Sequence, residues 1–224
     1  MATKDEIAGS FDRIARLPRQ GRWDHNNHYH PYLLRHLPAA VRMALDVGCG
    51  TGELTGLLAK RVGYVIGLDL SPAMIEEAAK RNPASNITYM RADFDEFTSR
   101  DLGAVCSVAA FHHLDLEKAL PRIARLLAPG GVLLLLDLYK RKGLADRLLD
   151  LLAVPANLVL SLVRNGRLSQ SAAEREVWRD HGRLDKLMTF SELRSLYERH
   201  LPGTTLRRHL FWRYSAVYRK PAAT

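Results

Sequence analysis

The run Leu45-Asp46-Val47-Gly48-Cys49-Gly50-Thr51-Gly52, followed by Glu53-Leu54-Thr55, constrains this chain more than any other stretch. It reads as a buried strand, a glycine turn and the start of a helix. Glycines at 48, 50 and 52 let the backbone turn tightly, and they let a ligand approach main-chain N–H groups with no Cβ in the way. The helix that follows aims its positive end at that ligand. A nucleotide-like ligand is the first expectation.

The spacing then narrows the ligand. The dinucleotide fingerprint is G-x-G-x-x-G. Here the third glycine comes one residue early, and Asp46 and Glu53 place carboxylates where a pyrophosphate would be repelled. This spacing opposes an NAD-dependent oxidoreductase. Tyr64-Val65-Ile66-Gly67-Leu68-Asp69 is a second apolar strand ending in an acid. Asp69 lies about 20 residues past the first turn, where a carboxylate accepts both ribose hydroxyls of a nucleoside. Ile87-Thr88-Tyr89-Met90-Arg91 is a third strand, with Asp93 and Phe94 beyond its end, and Leu127-Ala128-Pro129-Gly130-Gly131 turns into the apolar run 132–136, closed by Asp137.

Taken together, these segments resemble the class I S-adenosylmethionine-dependent methyltransferases, whose signature is E/D-x-G-x-G-x-G. The resemblance covers about residues 41–139 and returns weakly near residue 219. It implies S-adenosylmethionine as cofactor and S-adenosylhomocysteine as product, a pair with cationic groups and no phosphate. It implies a cofactor-binding set of Gly48, Cys49, Gly50, Asp69, Leu70, Asp93, Phe94 and Ala109, with Asp93 holding the adenine amino group.

Alternating strand and helix patterns predict an α/β fold. Strands are expected over 42–47, 63–69, 87–91, 103–109 and 132–138, and helices over 52–61, 72–81 and 115–127. Ser71-Pro72 supplies an N-cap and a first-turn proline, and Asp115 can cap the later helix. Repeated β-α units make a mostly parallel sheet with helices on both faces, and ligands bind beyond the carboxyl ends of its strands. Thr189-Phe190-Ser191-Glu192 is a capping box that opens a helix to about His200, and 204–209 and 212–219 read as paired strands. With the closing pair that the family carries, the expectation is a Rossmann-like seven-stranded, mostly parallel sheet with an antiparallel last strand. One domain is expected: a helical arm or lid over 1–38, a cofactor-binding core over 39–139, a helical cap over 140–188, and a closing helix and strand pair over 189–224.

In the arm, Ile7, Phe11, Ile14 and Ala15 recur at helical spacing, and a second helix is expected through 32–37. In the cap, residues 144–163 are strongly apolar but carry Asp146, Arg147, Asp150, Pro155 and Asn157. Proline breaks helices and the charges oppose spanning a bilayer, so two short helices are expected rather than a transmembrane segment. Such helices can line an acceptor pocket, join two copies or lie on a membrane.

The formal net charge is +9 and is unevenly placed. Residues 1–138 hold 16 Lys/Arg and 16 Asp/Glu, whereas residues 139–224 hold 17 and 8. The excess can attract an anionic substrate or a membrane surface, or serve solubility alone. No basic motif interleaved with aromatics argues for RNA. Cys49 and Cys106 form no metal-type pair or disulfide framework, and the N-terminus carries no apolar leader, which suits the cytoplasm.

Methyl transfer is a displacement at an activated carbon, so the enzyme's main task is to place the acceptor in line, and a base is needed only for an acceptor that must lose a proton. Two groups are candidates for acid–base work. His112 and His113 follow the fourth strand, and as neighbours in an extended segment they would face opposite ways. Each has an unperturbed pKa near about 6.5 and can serve as base or simply brace the loop. The second group is the arm run 23–30, with His28 and Tyr29 foremost. Its histidines, His25, His28 and His30, repeat no helical zinc motif, so no metal site is expected.

The expected function is methyl transfer to a small lipophilic or aromatic acceptor, in specialised metabolism, by a monomer or homodimer. The alternatives are a membrane-associated lipid or RNA acceptor reached through the basic C-terminal third, and a cofactor-binding protein without catalysis.

Overall fold

A computed structural model describes residues 2–17, 23–166 and 171–222. The sheet is built from β1 (Met43–Val47), β2 (Tyr64–Asp69), β3 (Ile87–Arg91), β4 (Leu102–Val108), β5 (Leu127–Leu138), β6 (Thr205–His209) and β7 (Arg213–Arg219). Their spatial order is β3-β2-β1-β4-β5-β7-β6. The first five strands pair in parallel, β7 runs antiparallel to β5, and β6 runs antiparallel to β7. The order reverses between β1 and β4, and in open sheets of this kind a crevice opens at such a point.

Alternate strand residues feed two apolar layers, as the period of two in a strand requires. Leu45, Val105, Leu133 and Leu135 point to the layer covered by α5 (Leu116–Leu126) and α8 (Phe190–His200). Ala44, Cys106, Leu134 and Leu136 point to the layer covered by α2 (His30–Leu34) and α3 (Glu53–Ala59). The expected caps form. The Ser71 hydroxyl accepts from Met74 N–H at the start of α4 (Pro72–Arg81), Asp115 caps α5, and Thr189 with Glu192 closes a capping box on α8. The α2 helix lies slightly earlier than the arm pattern suggested, because a 3-10 turn at Asn27–Tyr29 and Pro31 in its first turn start it there.

The cap departs from expectation. Residues 144–163 do not form two short helices. They lie in one helix, α6 (Leu144–Asn165), with Pro155 inside it. Pro155 withholds one N–H from the carbonyl of Leu151, and both residues are exposed, so water can take the free carbonyl and the helix continues. Its orientation is also unexpected. Leu144, Leu148, Leu151, Leu152, Leu162 and Val163 face outward, between 53% and 73% exposed. Three polar residues, Asp146, Asp150 and Asn157, face the body. Asp146 accepts from Tyr139 Oη–H (2.7 Å), Asp150 from Trp212 Nε1–H (2.9 Å), and Asn157 Oδ1 lies 2.9 Å from His25 Nε2. Buried polar groups need partners, and these partners choose which face docks. No residue of 144–163 therefore walls the cleft described below.

Helix α1 (Lys4–Ala15) packs against α4 and against α7 (Ala172–Gly182), which carries the arm back over the carboxyl ends of the strands. Among the described residues no helix is long and apolar enough to cross a membrane.

Candidate active site

The end of β1 breaks into the glycine turn. Gly48, Gly50 and Gly52 all have positive φ, at 68°, 52° and 80°. A Cβ on Gly48 would stand 2.3 Å from the Cβ of Ala110, whereas one on Gly50 would meet nothing within 4 Å and project into open space. The first glycine thus lets β1 and β4 close up, and the second leaves its backbone bare to a ligand.

Asp69, at the end of β2, is 9% exposed and accepts two backbone hydrogen bonds, from Gly50 N–H and Ser71 N–H, both 2.9 Å. These bonds aim the carboxylate across the turn, while burial raises its pKa. Behind it, Asp46 is 1% exposed and accepts from the Thr55 hydroxyl at 2.6 Å. Burial pushes its carboxyl up to about 7. Beyond β3, Asp93 Oδ1 accepts from Asp95 N–H at 2.9 Å, and its other oxygen pairs with Lys4 of α1. Ala109, past β4, holds a left-handed φ of 55° and donates its N–H to Leu136 O at 2.8 Å. A strained backbone of this kind is characteristic of functional sites.

One cleft of about 450 Å³ joins these groups. All eight residues of the expected cofactor set line it: Gly48, Cys49, Gly50, Asp69, Leu70, Asp93, Phe94 and Ala109. They lie on the β1–β3 side and the switch point. Across β4, β5 and β7 the same cleft continues past His112, His113, Leu138 and Arg213, with Ile7, Phe11 and Ile14 of α1 and Trp178 of α7 on its outer wall.

The His pair is arranged otherwise than an extended segment would allow. Phe111–His113 is a 3-10 turn, and the two rings lie against each other, with centroids 4.1 Å apart and planes tilted by 46°. His112 Nδ1 lies 2.5 Å from Asp137 Oδ1, and its backbone N–H donates to Asp137 Oδ2 at 2.8 Å. Burial opposes its charge, but Asp137 and Asp185 override that and push its pKa up to about 9. His112 is therefore a cationic donor at neutral pH. Burial, together with the neighbouring His112 and His181, pushes His113 down to about 4, so it is neutral. Neither ring keeps the ordinary histidine pKa.

His28 and Tyr29 lie elsewhere. They pack with Trp23 and Phe211 in an aromatic cluster that ties the arm to the β6–β7 turn, and the Tyr29 hydroxyl donates to Leu210 O at 3.0 Å. From the run 23–30, the residues that do line the cleft are Asp24, Asn26 and His30. The sequence reading missed Lys4, Asp137, His181, Asp185 and Arg213. Only His181 and Asp185 carried a local signal, their i, i+4 spacing.

A methyltransferase-domain family model matches residues 45–135. An uncharacterized methyltransferase of Mycobacterium tuberculosis is 32% identical over 202 residues, covering 89% of this chain and 98% of the relative. The chain belongs to the class I S-adenosylmethionine-dependent methyltransferase family. A trans-aconitate 2-methyltransferase of Methylobacterium radiotolerans is 43% identical over 106 residues, covering 45% of this chain and 40% of that protein. In fold, the methyltransferase resembles the N-methyltransferase NodS of Bradyrhizobium japonicum, solved with S-adenosylhomocysteine. That likeness has a TM-score of 0.64 at 19% identity, over 96% of this chain and 98% of that one.

The enzyme's cofactor is S-adenosylmethionine. The cleft fits it: the bare backbone at Gly50, the oriented Asp69 carboxylate and the acidic Asp46 suit a ribose and a cationic ligand without phosphate.

Proposed function

We propose that this enzyme methylates a small lipophilic or aromatic acceptor. The observation that carries the reading is the far end of the cleft, where Ile7, Phe11, Ile14, Leu138 and Trp178 form an apolar wall beside the His pair. Apolar lining with a few convergent polar groups is the usual make-up of a small-molecule site. The cofactor supplies a methyl group already activated on a sulfonium. Gly50, Asp69 and Asp93 hold the nucleoside end. The apolar wall and α1 orient the acceptor and exclude water, and Arg213, bonded through Nε–H to Asn26 Oδ1 at 2.9 Å, offers a fixed cation there. We read residues 1–38 as a lid on a single cytoplasmic domain, with the positioning of the acceptor, not proton removal, as the main catalytic contribution.

Calorimetry with S-adenosylmethionine, S-adenosylhomocysteine and NAD, followed by an acceptor screen with labelled cofactor, tests this reading. We expect both adenosyl ligands to bind, NAD to give no heat, and label to enter apolar small molecules. Label entering only RNA, or cofactor binding without any transfer, would each contradict it.

The outward apolar face of α6 favours a second reading of the same chemistry, in which the acceptor is drawn from an anionic membrane. Exposed Lys140, Arg141, Lys142, Arg147 and Arg164 flank that face. An apolar stripe edged by cations is the pattern of a helix lying in a lipid interface. Co-sedimentation with phosphatidylglycerol vesicles should exceed that with phosphatidylcholine vesicles and be lost in a Leu148→Glu, Leu152→Glu, Val159→Glu variant. Concentration-dependent dimerisation lost in the same variant, without vesicle binding, would assign the face to a second copy.

A further inference from the structure

Four side chains that the cofactor motifs do not use meet in the wall of the cleft. His112 and His113 come from the turn after β4, His181 from the last turn of α7, and Asp185 from the coil after it. Each offers one donor atom, and the four donors lie within 4.8 Å of one another. Asp185 Oδ1 is the common centre, 3.4 Å from His112 Nε2, 3.8 Å from His181 Nε2 and 3.9 Å from His113 Nε2.

Two of the imidazoles are oriented from behind. His112 Nδ1 meets Asp137 at 2.5 Å, and His181 Nδ1 meets the hydroxyl of buried Ser10 at 3.1 Å. With the far nitrogen occupied in this way, each ring turns its Nε2 towards Asp185, and an ion bound there takes the place of the proton that His112 Nε2 carries in its absence. Metal-binding histidines are held in the same manner, one nitrogen tied to a carboxylate or other polar group and the other free to ligate. The third ring, His113, has a side chain only 5% exposed, yet neither of its nitrogens has a hydrogen-bond partner among the described residues. Asp185 Oδ1 is buried and lacks one too. Buried polar atoms are costly to leave unpartnered, and here they face one another around a single point.

We propose that His112, His113, His181 and Asp185 bind a divalent first-row transition-metal ion. Three imidazoles and one carboxylate suit Zn²⁺, Fe²⁺, Co²⁺ or Ni²⁺ and not the harder Mg²⁺ or Ca²⁺. Donors about 2.0–2.1 Å from a tetrahedral ion stand roughly 3.3 Å apart, so the set draws in on loading. No hydrogen bond among the described residues fixes the His113 ring, and Asp185 lies in coil. Asp137 and Ser10 are positioning residues that fix two of the ligand rings. The site draws on residues 112 to 185, which is why no local histidine motif marks it.

The test uses the full chain without an affinity tag, stripped with a chelator and titrated with Co²⁺, read by its visible ligand-field bands. We expect one equivalent to bind, Zn²⁺ to displace it, and Asp185→Asn and His181→Ala each to weaken uptake at least about tenfold. His200→Ala, at a histidine paired with Glu117, should leave uptake unchanged. Absence of bands in the unsubstituted protein, or bands that survive both substitutions, would overturn the site. Calorimetry of cofactor binding on the same samples shows whether each variant is folded. It also separates failure of the metal site from failure of the methyl-transfer reading, because ion uptake does not depend on turnover.

Discussion

Asp69 shows how a single side chain is prepared for its ligand. Its two oxygens already accept Gly50 N–H and Ser71 N–H, so in the site proposed above the carboxylate would need no reorientation to meet a ribose. Removing it entirely would leave two backbone donors without an acceptor and mix a folding cost into the result. Asp69→Asn is the cleaner change. It keeps one acceptor oxygen and removes a charge whose burial is unfavourable. Charge-assisted hydrogen bonds contribute about 1.5–3 kcal/mol each, and about 1.4 kcal/mol is tenfold in affinity. Asp69→Asn should therefore weaken S-adenosylmethionine binding by roughly tenfold or more, with a smaller fall in thermal midpoint than Asp69→Ala, because the amide turns its NH2 to only one of the two backbone donors. Calorimetry and a melting curve check both halves, and unchanged affinity would remove Asp69 from the site. The His pair teaches a related lesson. Two adjacent imidazoles differ in charge because burial and two neighbouring imidazoles keep His113 neutral, whereas two carboxylates outweigh burial at His112.

At the scale of elements, α1 is fastened at both ends and in its middle by few contacts. Lys4 pairs with Asp93 and, at 2.6 Å, with Asp95. Asp12 accepts from the Ser71 hydroxyl at 2.6 Å at the N-terminus of α4, where a carboxylate is also favoured by the helix dipole. Phe11 packs on the rings of His113 and His181, and Ile7 and Ser10 are buried. The Lys4 contact is exposed and contributes little. A segment held this way opens at low cost. Backbone hydrogen exchange over 4–15 should slow on adding S-adenosylhomocysteine and quicken in Asp12→Ala. Equal protection with and without ligand would contradict a lid. The other telling element is α6, where an apolar run reads as a core or pocket helix. Its few polar residues, each with a partner on the body, turned the leucines outward instead. The β6–β7 connection is similar. Phe211 and Trp212 both adopt positive φ, which no turn rule anticipates for aromatics, and burial of Phe211 together with the Trp212–Asp150 bond offsets the strain.

Across the whole molecule, the line between what was legible and what was not follows sequence distance. The glycine turn, the alternating apolar strands, Ser71-Pro72, the capping boxes and the acids after β2 and β3 act through a few neighbouring residues. Backbone geometry and hydrophobic period govern them, so the sheet and the eight residues lining the proposed cofactor end of the cleft could be read from local pattern. The proposed acceptor end could not. It is made where the turn after β4, the end of β5, the start of β7, α1 and α7 converge, and its residues range from Ile7 to Arg213. Which arm residues face that space depended on where the aromatic cluster around Phe211 pulled His28 and Tyr29. Which face of α6 was buried depended on the partners of Asp146, Asp150 and Asn157, and the charge of His112 depended on carboxylates 25 and 73 residues away. Period and spacing encode the conformation of a segment. Contacts between distant segments are selected by the packing and polar satisfaction of the assembled fold, and they arise only when all the elements are in place.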